Sequence, residues 1–224
     1  MHQAIGESIA LAIGVAISPL PIIALILMLL SKRSGANSLA FLVGWVVGVA
    51  AVLAATIAVG NALSVNSGSS NAMTGNSTFR VVIGIILVVL GLRRLRHSRT
   101  PGQAGQAPKW LARIEEMGPG QAFGLAFVLA ALNPKNLILT VGGGLAIAQA
   151  PASTSQQVVA GVVYVLVASC TVLLPVLLYA FSRSRADQVL PGWRDWLGTH
   201  ASATVGVVLL VLGVLLIGKG IGGF

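Results

Sequence analysis

Lys135 stands in the stretch AALNPKNLIL, Ala130 to Leu139, inside a long apolar segment. A lysine at the centre of a spanning helix costs roughly 2.5–3.5 kcal/mol on insertion scales, so its presence there marks a functional position. Asn133 and Pro134 precede it and Asn136 follows. Proline lacks an N–H and clashes with the carbonyl four residues back, yet suits the first position of a new helix. Asparagine and serine are good N-caps. Asn133-Pro134 therefore reads as a restart, where one helix stops, a cap turns the chain and a half-helix begins. A second such pair, Ser18-Pro19, lies in AISPLPIIALIL, with Pro21 two residues further on.

A restart deep in lipid frees backbone groups that would cost several kcal/mol each unless protein or a wet cavity surrounds them. The N–H end of each new half-helix is partly positive. Two such ends beside Lys135 would concentrate positive potential and complement a carboxylate, sulfate or phosphate. Ser18, Pro19, Pro21, Asn133, Pro134, Lys135 and Asn136 are accordingly the candidate substrate-binding residues, with the asparagines suited to hydroxyls or amides. The plainer alternative is that Lys135 snorkels to an interface or caps freed carbonyls. Glu7 is a poor counter-ion, because it precedes Pro19 by about 18 Å of helix.

Enzyme chemistry has little to work with. The spans hold no carboxylate pair, His2, His97 and His200 fall at ends or loops, and no phosphate-binding glycine loop followed by Lys-Ser/Thr occurs. Cys170 is the single cysteine, which excludes an intrachain disulfide framework and a multi-thiolate metal site. It lies in an apolar run and reads as a small packing residue. The expectation is a chain that is not an enzyme and uses no metal or cofactor.

The elements that position these residues follow from composition. Only 8% of the 224 residues are charged, against about 25% in a soluble domain, which points to a membrane protein. Six segments have the length and apolarity of a span: Ile5–Leu30, Leu39–Gly60, Thr78–Leu95, Gly120–Ala148, Gln157–Phe181 and Ala203–Ile221. The first is read as a span, not as a signal peptide, since no Lys or Arg precedes Ile5 and the apolar run is too long. The alternating ten-residue strands of a barrel are absent. The net charge of +9 sits in loops, so it reads as a topology signal and not as a nucleic-acid surface. Lys32 and Arg33 lie between spans 1 and 2. Arg93 and Arg94 at the very end of span 3 and Arg96, Arg99, Lys109 and Arg113 beyond it mark the connection between spans 3 and 4, and Arg183, Arg185 and Arg194 lie between spans 5 and 6. Lys and Arg mark the cytoplasmic side, so both termini are expected outside a plasma membrane.

Between spans 3 and 4, PGQAGQAP reads as a linker, and Trp110, Ile114 and Met117 fall at helical spacing, as in a short interfacial helix. Trp193 and Trp196 beside Arg194, in the loop before span 6, suit the headgroup belt. The turn-rich stretch between spans 2 and 3 reads as an outer loop. Gly44 and Gly48 form a helix-packing face, and Pro175 is expected to kink span 5.

The chain also repeats itself. GIILVVLGL from Gly84 matches GVVLLVLGV from Gly206, and Ser18-Pro19 matches Asn133-Pro134. Two copies of three spans each must be inserted in opposite senses, an architecture common in transporters. The expected fold is all-α: a polytopic membrane protein of six transmembrane helices in two inverted three-helix repeats with broken first helices. The repeats occupy residues 1–95 and 119–224, joined by a basic cytoplasmic linker, 96–118.

SPLP in the first span and LNPKN in the fourth resemble the lysine exporter superfamily. Its amino-acid exporters carry Pro-Gly-Pro and Asn-Pro-Lys elements at these places. Asn133, Pro134 and Lys135 match the second element; Pro19 and Pro21 match the first, with Leu20 in place of glycine. ISPLPI together with LNPKNLIL is closer to the GAP/Sap-like branch, the sulfolipid or glycopeptidolipid addressing proteins, over nearly the whole chain. That resemblance implies movement of envelope glycolipids across the plasma membrane beside a large lipid exporter. The leading expectation is a transporter or translocase for such a lipid or its anionic precursor. The alternatives are an exporter of amino acids or a similar small carboxylate metabolite, and a non-transporting scaffold for a lipid export complex. The packing glycines are compatible with a homodimer.

Overall fold

The protein is described by a computed structural model covering residues 2–31, 34–66, 77–97, 114 and 116–221. The expectations for Lys32 and Arg33, for the linker with Arg99, Lys109, Trp110 and Arg113, and for most of the outer loop fall outside those residues. Among the described residues the chain forms eight α-helices and no strand. They are α1 His2–Ala16, α2 Pro19–Leu29, α3 Ser34–Asn66, α4 Ser77–His97, α5 Pro119–Ala131, α6 Pro134–Ala148, α7 Thr154–Phe181 and α8 Arg183–Ile221.

Both proline pairs break their helices. The axis turns by 48° between α1 and α2 and by 64° between α5 and α6. Each second half begins with its proline at the first helical position, after an extended residue, Ser18 or Asn133. By length and composition α3 and α7 are each suited to crossing a bilayer, and the total reaches five if every bent pair counts as one span. The expected third span, Thr78–Leu95, is present as α4, but it lies outside that group. Three arginines, Arg93, Arg94 and Arg96, crowd its last turns.

The exterior is greasy. Val158, Val162, Leu166, Leu174 and Phe181 form an exposed stripe on α7, and α4 exposes Val82, Ile85, Ile86, Val89 and Leu90. Contiguous apolar surface of this extent requires a partner, and for long apolar helices that partner is lipid. Cys170 is exposed on α7, so it is not the packing residue expected from sequence. The interior holds Phe41, Trp45, Tyr164, Leu25, Ile26 and Met28, all fully buried.

Glycines set the close approaches. A Cβ on Gly44 would collide with the backbone of Phe123, and one on Gly48 would come within 2.8 Å of Ala130 Cβ, so α3 and α5 pack nearly backbone to backbone. On the other side α4 lies along α8. A Cβ on Gly84 would meet Gly213 O at 2.8 Å, and one on Gly91 would meet Gly206 O at 2.8 Å.

Two loop expectations are corrected. The segment with Arg183, Trp193, Arg194 and Trp196 is not a loop but the first part of α8, Arg183–His200, bent by 63° from Ala203–Gly218. Its Ala186 and Leu190 are buried while Trp193 and Trp196 are exposed, so it is amphipathic and helical. Ile114, expected on an interfacial helix, is fully buried in the protein core. Met117 packs partly against that core, and its carbonyl accepts a bond from Asn37 Nδ2 at 2.8 Å. Ile114 and Met117 are thus held by the protein and not by the lipid surface. Pro175 lies inside α7, which continues unbroken to Phe181.

Candidate functional site

The two breaks leave carbonyls that no backbone N–H reaches, and the side chains flagged by sequence are those that reach them. In a continuous helix Gly14 O would accept from the N–H of residue 18 and Ile17 O from that of residue 21. Ser18 N–H turns instead to Ala16 O at 2.8 Å, and residue 21 is a proline. Lys135 supplies both missing donors. Its Nζ donates to Gly14 O at 2.6 Å and to Ile17 O at 3.0 Å. Thr171 of α7 donates to Ala16 O at 2.6 Å.

At the second break Leu129 O would accept from the N–H of residue 133. It accepts instead from Asn136 Nδ2 at 3.0 Å. Asn136 Oδ1 in turn accepts from Ser18 Oγ at 2.7 Å. The starts of α2 and α6 are thereby joined through a fully buried amide and a buried hydroxyl. Three of the freed carbonyls, those of Gly14, Ile17 and Leu129, thus find side-chain donors inside the protein, as the bilayer interior demands.

The seven candidate residues divide into roles. Asn133 caps its own helix, its Oδ1 accepting from Lys135 N at 3.1 Å. Ser18 occupies the cap position of α2 without bonding that helix through its side chain; its hydroxyl goes to Asn136. Pro19, Pro21 and Pro134 make the breaks, the first two buried and Pro134 exposed. Lys135 is half-buried. Its ammonium does cap freed carbonyls, the second of the two sequence readings, and it does so across the halves of the chain.

The electrostatics are asymmetric. The Lys135 ammonium lies against the carbonyl end of α1, the partly negative end of that helix. Among the described residues no carboxylate pairs with it; the ion pair found there, Arg194–Asp195 at 2.8 Å, is on the exposed part of α8. Carbonyl dipoles solvate the charge but do not neutralise it. An anion entering here would find an unpaired ammonium and the N-terminal turn of α6. No cluster of three or more His, Cys, Asp or Glu side chains suited to a metal occurs among the described residues.

Several participants escaped sequence reading. Thr171, close after Ser169, and Tyr164 interrupt the apolar run of α7, and Tyr164 OH donates to Leu139 O at 3.1 Å. Asn61 Nδ2 donates to Gln157 Oε1 at 2.9 Å near one end of the α3–α7 pair. Ser34 Oγ and Tyr179 OH meet at 2.5 Å near the other. A polar residue interrupting an apolar run was the available signal.

The Ser18–Asn136 link is measurable. Ser18→Ala, Asn136→Leu and the double variant form a cycle whose expected coupling is about 1 kcal/mol, between the mean of about 0.6 and the maximum of about 1.7 for polar pairs between membrane helices. Unfolding of the purified protein in detergent reads it. Strict additivity would mean that the two residues do not interact.

A family model described as "Sap, sulfolipid-1-addressing protein" matches residues 9–222. No curated protein and no solved structure matches the chain.

Proposed function

Because the chain belongs to the Sap, sulfolipid-1-addressing protein family, we propose that it is a transporter moving an envelope glycolipid, or its anionic precursor, across the plasma membrane. The observation that carries this reading is the half-buried Lys135 ammonium, held between two broken helices and paired with carbonyls instead of a carboxylate. The natural counter-ion is cargo: a sulfate, phosphate or carboxylate on a lipid headgroup. Ser18, Asn133 and Asn136 flank the place it would take.

The geometry also suggests how cargo and movement are linked. Lys135 belongs to the second half of the chain, and Gly14 and Ile17 to the first. Rocking one half against the other must break those two bonds. An anion that takes over the ammonium lowers the cost of breaking them, so binding and movement favour each other. Transport by two inverted repeats, six spans in all, fits this scheme. The glycine contacts support such a two-fold relation. The sequence repeat carries Gly84 onto Gly206 and Gly91 onto Gly213, so it turns the Gly84–Gly213 contact into Gly206–Gly91, which is the other contact observed. With Lys and Arg on the cytoplasmic side, both termini face outward. A large lipid exporter is the expected partner; the packing glycines Gly44, Gly48, Gly84 and Gly91 are engaged within the chain and do not argue for a homodimer.

The test is a comparison of surface and cell-retained glycolipid in a deletion strain, with amino-acid efflux measured alongside. Glycolipid retained inside, restored by the wild-type chain, with efflux unchanged, is the expected outcome. Lowered efflux with normal surface lipid would replace this reading with the amino-acid one.

A further inference from the structure

Among the described residues four buried side-chain polar atoms have no hydrogen-bond partner, Asn37 Oδ1, Thr140 Oγ1, Trp45 Nε1 and Ser169 Oγ; the last two belong to α3 and α7, which pack against each other. Trp45 is fully buried and Ser169 is 4% exposed. In an apolar interior an unpaired N–H or hydroxyl is costly, and such groups usually mark a place that water or a ligand fills.

Their placement is not random. A Cβ on Gly161 of α7 would meet Leu53 of α3 at 3.7 Å, and one on Gly144 of α6 would meet Leu53 O at 3.2 Å, so these three residues share a level. From that level Trp45 lies 53 − 45 = 8 residues along α3, Ser169 lies 169 − 161 = 8 along α7, and Asn136 lies 144 − 136 = 8 along α6. The directions agree. Asn61–Gln157 closes the end of the α3–α7 pair beyond Leu53, a Cβ on Gly60 would meet Ala148 at the same end of α6, and Ser34–Tyr179 closes the opposite end. All three residues are therefore displaced toward the Ser34–Tyr179 end by about 12 Å of helix.

We infer that the seam between α3 and α7, at the level of the Ser18–Asn136 pair, is a second subsite that takes the hydroxyl-bearing, carbohydrate-like part of the ligand. The chemistry sets the class. The indole N–H only donates, so it needs an oxygen acceptor. The serine hydroxyl donates and accepts. A sugar hydroxyl or ring oxygen satisfies both while its C–H surface packs on the apolar wall, whereas an alkyl chain satisfies neither. The inference rests on the reading that Lys135 holds the anionic end of the same ligand, and it adds what lies next to that end.

Cysteine labelling tests it without measuring transport. In a Cys170→Ala background, Ser169→Cys and the neighbouring Ala168→Cys, a fully buried control, are treated in liposomes with a water-soluble methanethiosulfonate reagent. The thiolate attacks the reagent's sulfenyl sulfur, forming a mixed disulfide and expelling sulfinate. Thiolate forms readily only where water reaches, so Ser169→Cys should label about tenfold faster than Ala168→Cys. Octyl glucoside below its micellar concentration should slow that labelling, and octanol should not. Protection by free glucose as well would assign the site to free sugars; protection by the glucoside alone assigns it to a lipid-linked headgroup. Equal labelling of the two cysteines, or equal protection by octanol, overturns the subsite.

Should Ser169→Cys fold poorly, the emission of Trp45 provides a second reading in a chain with Trp110, Trp193 and Trp196 changed to Phe. Octyl glucoside should shift that emission and octanol should leave it alone; the same response to both overturns the proposal. Neither readout involves Lys135, so a dry seam in a protein that still exports lipid would remove this subsite and leave the anion site standing.

Discussion

Lys135→Met is expected to abolish the proposed export. Methionine matches the reach of the lysine stem but carries no charge and no donor, so the variant loses two things at once. On the proposed function, the anionic headgroup loses the ammonium that would bind it at the breaks. Gly14 O and Ile17 O, which receive the ammonium at 2.6 and 3.0 Å, are left without it; the cost falls on Gly14 O, at about 1–3 kcal/mol for a buried acceptor orphaned, because Ile17 is exposed. The expected result in a complemented deletion strain is surface glycolipid at the level of the empty vector, with the protein present but melting earlier. Lys135→Arg keeps the charge but swaps a compact ammonium for a planar fork, so partial export is expected. The two roles of the lysine separate when export is normalised to folded protein. A Met variant that exports normally per folded molecule would leave Lys135 as a cap for α1 and remove the anion site. One that folds normally yet exports nothing would show that charge matters more than capping.

Gly44→Leu prevents the α3–α5 pair from forming as observed. A Cβ on Gly44 already collides with the Phe123 backbone, and a helix backbone cannot rotate aside as a side chain can. The leucine must push α5 away. That displacement reaches the site, because α5 ends at Ala131, just before the Asn133 cap. Overpacking of this kind costs about 3 kcal/mol or more when backbone has to move. Thermal unfolding in detergent should show a large drop, with export lost alongside. Gly124→Leu is the control. It lies one residue beyond Phe123, and a Cβ there meets nothing within 4 Å, so its unfolding temperature should stay near that of the wild type. Equal stability of the two variants would mean that α3 and α5 are not in backbone contact at Gly44.

The two predictions draw on different kinds of information. The positions of the breaks are legible in short stretches of residues. Proline removes an N–H wherever it stands, so Ser18-Pro19 and Asn133-Pro134 announce the ends of α1 and α5 without reference to the rest of the chain. Membrane class is equally legible, because charge content and hydropathy are sums over residues. Gly44 and Gly48 could be read as a packing face for the same reason, though not which helix would occupy it.

What stayed hidden depends on residues far apart in the chain. The segment before span 6 looked like a loop because it carries three arginines and a proline, yet burial of Ala186 and Leu190 against the bundle makes it helical. Ile114 sits in a polar context that suggests a surface, and only the neighbouring helices close over it. Asn136 read as one more polar residue beside Lys135, and it turned out to join both halves. A missing N–H is a property of one residue, whereas the donor that replaces it comes from whichever helix packs alongside. By itself, then, the sequence determined that this chain lives in a membrane, where its helices break and that a lysine waits at one break. Packing decided that the lysine reaches carbonyls 118 and 121 residues earlier, because the freed acceptors of one half could be satisfied only by side chains brought in by the other.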